Sequence, residues 1–265
     1  MASTLNYLAS WFRSRYLILE DFVRISLGRR SWRRGSDLVS FPIATYSRIR
    51  LLTERTIPSI LAQTHSNVEV VVVADGTLES ELAPLRALKD PRVRVFRLKK
   101  RTKYPVDPVA RWMVAGWKPR NVGSRKSRGS WIYWISDDDF LLPHAVQTLL
   151  RVANDGDFES VSGGYQLGLL EPVRVLPEAG IEALGLKITG PPAWLSKRYV
   201  GRMRWNQASW RKVWNRPSDY DLIERMRTQR VRFGHTDDVV AVQPEVDGTG
   251  ATGLRGSLAA DSKNL

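Results

Sequence analysis

The eight residues VEVVVVAD, Val68 to Asp75, constrain the fold more than any other stretch. A strand wetted on one side alternates apolar and polar residues. Here four valines run consecutively from Val70 to Val73, so both faces have to be covered, as in the central strand of a parallel sheet. The same rhythm surrounds it. LVSFPIAT (38–45), RVRVFRL (92–98), WIYWISD (131–137) and ESVSGGYQL (159–167) read as further strands. Between them, RLLTERTIPSILAQT (50–64, with Pro58 as a kink), LESELAPLRALK (78–89) and PHAVQTLLRVAND (143–155, started by its proline) read as helices. Alternating strands and helices predict an α/β fold, a mainly parallel sheet flanked by helices. A chain of 265 residues that is 43% hydrophobic is long enough to bury such a core.

In open sheets of this kind ligands bind at the carboxyl ends of the strands. Asp75 falls there, and so do Asp137, Asp138 and Asp139. Three adjacent carboxylates repel one another. Phe140, Leu141, Leu142 and Pro143 follow directly, which pins the triplet between apolar segments instead of leaving it in a solvated turn. Hard oxygen ligands at a strand end suit Mg2+ or Mn2+, which keep water and bridge to substrate phosphates.

Composition narrows the function classes. No apolar run approaches the ~18–20 residues of a membrane span, and the amino terminus lacks the basic, apolar and small-residue order of a secretory leader. With no cysteine there is neither a thiolate metal site nor a cysteine nucleophile, which fits the cytosol. Three scattered histidines, His65, His144 and His235, make no serine–histidine–aspartate arrangement; His235 alone is a candidate third metal ligand, and a structural place on a late strand or turn is the competing reading. The net charge of +14 points to an anionic partner, which could be nucleic acid, anionic lipid or a phosphorylated substrate.

Residues 1–36 read as a separate amphipathic basic segment. Leu5, Leu8, Phe12, Tyr16, Leu19 and Val23 share one helical face, and Arg29, Arg30, Arg33 and Arg34 flank Trp32. That pattern suits an anionic membrane surface, or a helix packed on the domain or on a second subunit of a homodimer. At the other end, 247–265 is small and polar, the composition of a flexible tail. The half from about 171 to 246 is irregular. Its stretch 191–216 sets Trp194, Trp205, Trp210 and Trp214 among lysines and arginines, a place to hold an acceptor by stacking on sugar rings.

Four segments in order resemble the family 2 glycosyltransferases: FPIATYSR, the run LLTERTIPSILAQTHSNVEVVVVADGT, RNVGSRKSRGSWIYWISDDD and SDYDLIERM. The resemblance spans roughly 38–245. It implies a GT-A fold, Rossmann-like, with a nucleotide-sugar-binding half (37–170) and an acceptor-binding half (171–246). It also implies inverting transfer from a nucleotide sugar to a hydroxyl of a glycan or lipid-linked acceptor, with Mn2+ or Mg2+ as cofactor. Tyr46 would stack on the nucleobase. Asp75 would accept from a ring N–H, which suits the imide of UDP. Arg48, Arg120 and Asn121 would support the donor, with Asp137 beside them; Asp138 and Asp139 would hold the metal. Asp219 would be the catalytic base, with a helix cap as its alternative role and Asp221 as its neighbouring rival. The chain departs from the family pattern at Ser47, Ala74, Ser136 and Ser218.

Two other readings remain at this point: a basic nucleic-acid-binding protein, which leaves the acidic triplet without a purpose, and a GT-A fold that binds a nucleotide sugar without catalysis. Peripheral attachment at the inner face of a membrane is the location the amino-terminal segment implies.

Overall fold

The computed structural model describes residues 2–32, 37–168, 191–211 and 217–245, with side chains given from Trp11 onward. Arg33, Arg34, Trp214, residues 171–190 and the tail 247–265 lie outside the described residues.

Eight strands form one sheet in the order β3-β2-β1-β4-β7-β6-β8-β5. The strands are β1 (Val39–Thr45), β2 (Val68–Asp75), β3 (Val93–Leu98), β4 (Trp131–Trp134), β5 (Phe140–Leu141), β6 (Ser160–Leu167), β7 (Trp194–Lys197) and β8 (Phe233–Gln243). The first half, β3-β2-β1-β4, is parallel throughout. All eight residues of β2 are buried, as four consecutive valines require. Beyond β4 the sheet becomes mixed: β7 runs antiparallel to both β4 and β6, and β5 antiparallel to β8, while β6 and β8 are parallel.

The helices are α1 (Ala2–Ser31), α2 (Ile49–Leu51 and Ile57–Leu61 joined through a π turn at Leu52–Thr56), α3 (Ala83–Ala87), α4 (Pro108–Met113), α5 (Trp117–Lys126), α6 (Ala145–Asp155), α7 (Arg198–Gly201) and α8 (Ser218–Thr228). The wide π turn falls just before Pro58, whose nitrogen has no hydrogen to donate. Helix α5 lies close on β1, because a Cβ at Gly123 would come within 2.9 Å of the Pro42 side chain. Strand β4 feeds two cores. Trp131 and Tyr133 face the larger one with Phe41, Val70 and Leu149, whereas Ile132 and Trp134 face a second with Trp194, Trp205, Leu222 and Met226.

The second core changes the reading of the tryptophan-rich stretch. Trp194 is fully buried on β7, and Trp205 packs edge-on against Trp134 at 5.1 Å. Their indoles fill the interior between β4 and α8, at 0% and 3% exposure, so this part of the stretch is core and not an open stacking platform. The alternation of large aromatics with lysine and arginine here follows from an antiparallel strand and the turn after it.

The amino-terminal helix packs on the domain. Gly28 admits the Tyr199 ring so closely that a Cβ would overlap it at 2.3 Å. Its anchors are ionic. Arg225 of α8 is ion-paired with Asp21 of α1 and with Asp221 at 2.9 Å, all three side chains buried. Arg204 pairs with Glu20, and Arg29 pairs with Glu159 through two 2.8 Å hydrogen bonds.

Glu159 also accepts from the Tyr199 hydroxyl and the Arg232 backbone N–H. Burial would raise its pKa. The Arg29, Arg232 and Tyr199 hydrogen bonds outweigh that and bring it down to about 2. A carboxylate depressed in the folded state contributes stability above its unfolded pKa and loses it as pH falls through the folded value. Glu159→Gln should therefore cost on the order of 3 kcal/mol at pH 7. The gap from the parent should close in urea titrations carried from about pH 4.5 down to about 2. A gap that stays constant over that range would rule out the charge as its source.

Candidate functional site

The carboxyl ends of β1, β2 and β4, the start of α5 and the first turn of α8 enclose a cavity of about 600 Å3. Tyr46, Arg48, Asp75, Arg120, Asp137, Asp138 and Asp219 line it, which brings seven of the nine site residues expected from sequence to one place. Asn121 and Asp139 do not line it.

The aspartate triplet is held from behind by α2. Thr56 Oγ1 donates to the carbonyl oxygens of Asp137 and Asp139, at 3.2 and 2.7 Å, and Arg55 donates to that of Asp138. The three carboxylates then part company. Asp137 accepts from Thr45 Oγ1 at 2.7 Å and from Arg48 at 3.5 Å. Burial and the neighbouring Asp138 raise its pKa, against the pull of Arg48 and Thr45. Asp138 turns to the cavity and meets Arg48 at 2.9 Å.

Asp139 points inward. It is fully buried, one oxygen accepts from the Ser136 backbone N–H at 3.1 Å, and burial followed by repulsion from Asp138 raises its pKa well above the usual range. The expectation of Asp139 as a second metal ligand therefore meets a carboxylate that braces the turn from beneath. The shift follows from the strand ending at Trp134: the turn after it carries Asp138 outward and the next residue back into the core.

Asn121 also differs. It sits within α5, not in a turn, and its amide clamps the Trp205 backbone, donating to the carbonyl at 3.0 Å and accepting from the N–H at 2.9 Å. Buried this way, it fixes the position of the Trp205 ring against the cavity and makes no approach to a donor. Arg120, one residue earlier, does reach the lining. Its guanidinium lies over the Trp205 ring, 4.6 Å from the centroid. Burial lowers its pKa while Asp219 and Asp137 work to raise it, so it stands electrostatically between the two.

Asp75 is engaged from all sides. Oδ1 accepts from the Thr102 N–H at 2.9 Å and hydroxyl at 2.7 Å, and Oδ2 accepts from Tyr104 at 2.7 Å. The loop after β3 thus closes over the end of β2. Gly76, at φ +80°, lets it in, since a Cβ there would come within 2.4 Å of the Arg101 nitrogen. That approach sets the Arg101 guanidinium 3.4 Å from the Tyr46 ring centroid. Arg101 and Tyr104 were not among the expected residues. The signal was present in KKRTKY at the carboxyl end of β3, where the strand-end rule applies as it does to Asp75.

Asp219 lies in the first turn of α8 and borders the cavity. The cap position is Pro217, so Asp219 is not the cap. Burial raises its pKa, offset in part by the Tyr220 backbone N–H and by Arg120. Asp221 is buried and accepts from Arg225 and from Asn206, so its carboxylate is committed to packing. His235 is bonded to Ser162 and Asp237 on β8 and is not part of the lining. His65 and His144 each contact a backbone carbonyl.

A divalent cation fits this site in one way. Among the described residues no group of three histidine, cysteine, aspartate or glutamate side chains converges on a point. Of the triplet, Asp137 and Asp138 border the cavity, and Asp138 is the more exposed of the two. Mg2+ and Mn2+ suit such a sparse set because they retain water and take phosphate oxygens as remaining ligands. The pKa of Asp137 is raised first by burial and then by the neighbouring Asp138, and a cation held there would favour its charged form.

Residues 40–105 match the profile of Glycosyl transferase family 2. The succinoglycan biosynthesis protein ExoO of Rhizobium meliloti is 33% identical over 116 residues, 44% of this chain and 30% of that protein. Among solved structures, Staphylococcus aureus TarS 1-349 in complex with UDP-GlcNAc superposes with a TM-score of 0.62 at 14% identity, covering 80% of this chain and 60% of that one. Mannosyltransferase PcManGT of Pyrobaculum calidifontis, in complex with GDP-Man and Mn2+, gives 0.57 at 14% identity, covering 94% and 70%. The chain spans less than half the length of the first curated relatives it matches.

The different settings of the aspartates can be separated by Mn2+ titration in the presence of UDP. Asp138→Asn should abolish measurable metal binding. Asp139→Asn, acting from beneath, should weaken it by no more than roughly 10–100-fold. Equal losses in the two variants would return Asp139 to the ligand set.

Proposed function

We propose that the chain is a glycosyltransferase of family 2 with a GT-A type of fold, and that it transfers a sugar from a nucleoside diphosphate sugar, with UDP the favoured nucleotide, to a hydroxyl of a glycan or lipid-linked acceptor. The reading rests above all on one observation: Tyr46, Asp138 and Asp219 border a single cavity at the carboxyl ends of the strands. That cavity has an aromatic wall for a base, a carboxylate and two arginines for a diphosphate, and a second carboxylate for a proton. The relative that takes part in succinoglycan synthesis supports a place in surface polysaccharide assembly.

In this reading the nucleobase lies against the Tyr46 ring on the face that Arg101 does not cover, with Asp75 holding Thr102 and Tyr104 in place. Arg48 and Arg120 face the diphosphate. Asp138 would hold Mn2+ or Mg2+, with Asp137 next to it; the ion would take up negative charge on the departing diphosphate. Asp219 accepts the proton of the acceptor hydroxyl. The hydroxyl oxygen forms its bond to the anomeric carbon as the bond from that carbon to the diphosphate oxygen breaks, and the electron pair leaves on the nucleoside diphosphate. Attack from the face opposite the leaving group inverts the centre. The pKa of Asp219, raised chiefly by burial, suits a base, because the shift strengthens its proton affinity.

Asp219→Asn tests the assignment. The variant should keep its UDP- and Mn2+-dependent rise in melting temperature and lose ~10²–10⁴ in turnover of a UDP-sugar. In the parent, turnover should fall on acidification at a pH above the ordinary aspartate range, since a base works only when deprotonated and this one's pKa is raised. Near-normal transfer by Asp219→Asn would remove this residue from the chemistry. Absence of nucleotide-sugar turnover by the parent across UDP-, GDP- and dTDP-sugars would overturn the reading as a whole.

A further inference from the structure

Ten large hydrophobic side chains are exposed among the described residues, and seven of them, Trp11, Phe12, Tyr16, Leu19, Phe22, Val23 and Leu27, belong to α1. At 100° per residue they fall on one side of the helix. The opposite side carries Leu17, Asp21, Ile25 and Gly28, which are buried against α7 and α8. The helix is therefore mounted with its polar partners inward. Asp21, Glu20 and Arg29 are taken up by Arg225, Arg204 and Glu159. The apolar stripe, about 24 Å from Trp11 to Leu27 at 1.5 Å per residue, is left facing out. An apolar face of this extent, held outward by buried ion pairs, marks a docking surface.

We infer that this stripe docks on an anionic lipid bilayer, with α1 lying in the plane of the interface. Charge selects this occupant. Arg15 and Arg30 project from the same side as the stripe and are exposed, and Arg15 sits over the Trp11 ring, 5.1 Å from its centroid. The two acids between Trp11 and Ser31, Glu20 and Asp21, are both engaged toward the domain. A second copy meeting this face through the same helix would bring arginine to arginine, and among the described residues of α1 both acids are already engaged toward the domain. A bilayer with anionic headgroups offers apolar depth for Phe12, Leu19, Phe22 and Val23, and phosphate for the arginines. Trp11 and Tyr16 have the amphipathic rings that settle at headgroup level. No helix among the described residues is long and apolar enough to cross a membrane, so the contact is along the surface.

The inference does not depend on which sugar or acceptor the cavity takes. The test is co-sedimentation of the full chain with vesicles of phosphatidylcholine alone and of phosphatidylcholine with phosphatidylglycerol, at low and high salt, beside light scattering of the free protein. The parent should bind the anionic vesicles, with binding reduced severalfold by salt. The triple variant Leu19→Glu, Phe22→Glu, Val23→Glu should bind them at least about tenfold more weakly, with an unchanged melting temperature because all three side chains are exposed. Arg15→Gln with Arg30→Gln should remove the preference for anionic over neutral vesicles. Undiminished vesicle binding by the triple variant would overturn the inference. So would a parent that ignores both vesicles and is a dimer which that variant converts to monomer, since the stripe would then be covered by a second copy. Because the readouts are vesicle binding and mass, failure here leaves the transferase reading standing, and failure of turnover leaves this surface standing.

Discussion

Like charge at the end of β4 is the constraint around which the parallel half of the sheet is arranged. Asp137, Asp138 and Asp139 follow one another where the strand stops, and left alone they would repel one another. Carbonyls and carboxylates are handled by different elements. Helix α2 takes the carbonyls through Arg55 and Thr56. Thr45 of β1 takes the Asp137 carboxylate, Arg48 takes Asp137 and Asp138, and the Ser136 N–H takes Asp139. The π turn brings Arg55 and Thr56 to the triplet, so an irregular helix and an acidic strand end are two sides of one solution. Of the triplet, Asp137 and Asp138 border the cavity, both in reach of Arg48, while Asp139 is turned into the core.

Much of this was legible in the chain because parallel strands buried on both faces write an unambiguous pattern. Four valines in a row at Val70 to Val73 leave no other place for β2, and the strand-end rule then brings Asp75 and the triplet to one edge. What the pattern could not show is direction after β4. Strand β7 is four residues of alternating size, WLSK, and its antiparallel register is set by packing against β4 and β6. The tryptophans of 191–216 therefore read as a sugar-stacking surface, while in the fold Trp194 on β7 and Trp205 beyond it are buried in the second core. Asn121 and Asp139 show the same limit at the scale of one residue. Both are polar, both stand beside residues that do line the cavity, and only the local turn of backbone decides that each points inward.

The amino-terminal helix shows what periodicity can and cannot say. Spacing identifies Phe12, Tyr16, Leu19 and Val23 as one face, and the structure has them on one face. It does not say whether that face is the one used for packing on the domain. The choice is made by Asp21 and its partner Arg225, two charges that have to be buried together, because either alone would carry a desolvation cost of several kcal/mol.

The bridge from Asp21 through Arg225 to Asp221 has a consequence for the division of the chain into parts. Asp221 and Asp219 stand two residues apart on α8, and the guanidinium that steadies this helix draws one of its two counter-charges from the first thirty residues. A chain cut at residue 36, just before the family resemblance starts, would leave a buried cation half neutralised on the helix that carries Asp219. The amino-terminal helix is thus not an appendage that evolution or a protein engineer can exchange freely. A graft of this domain onto another anchor would have to bring a carboxylate to the same spot, or surrender the arginine along with it.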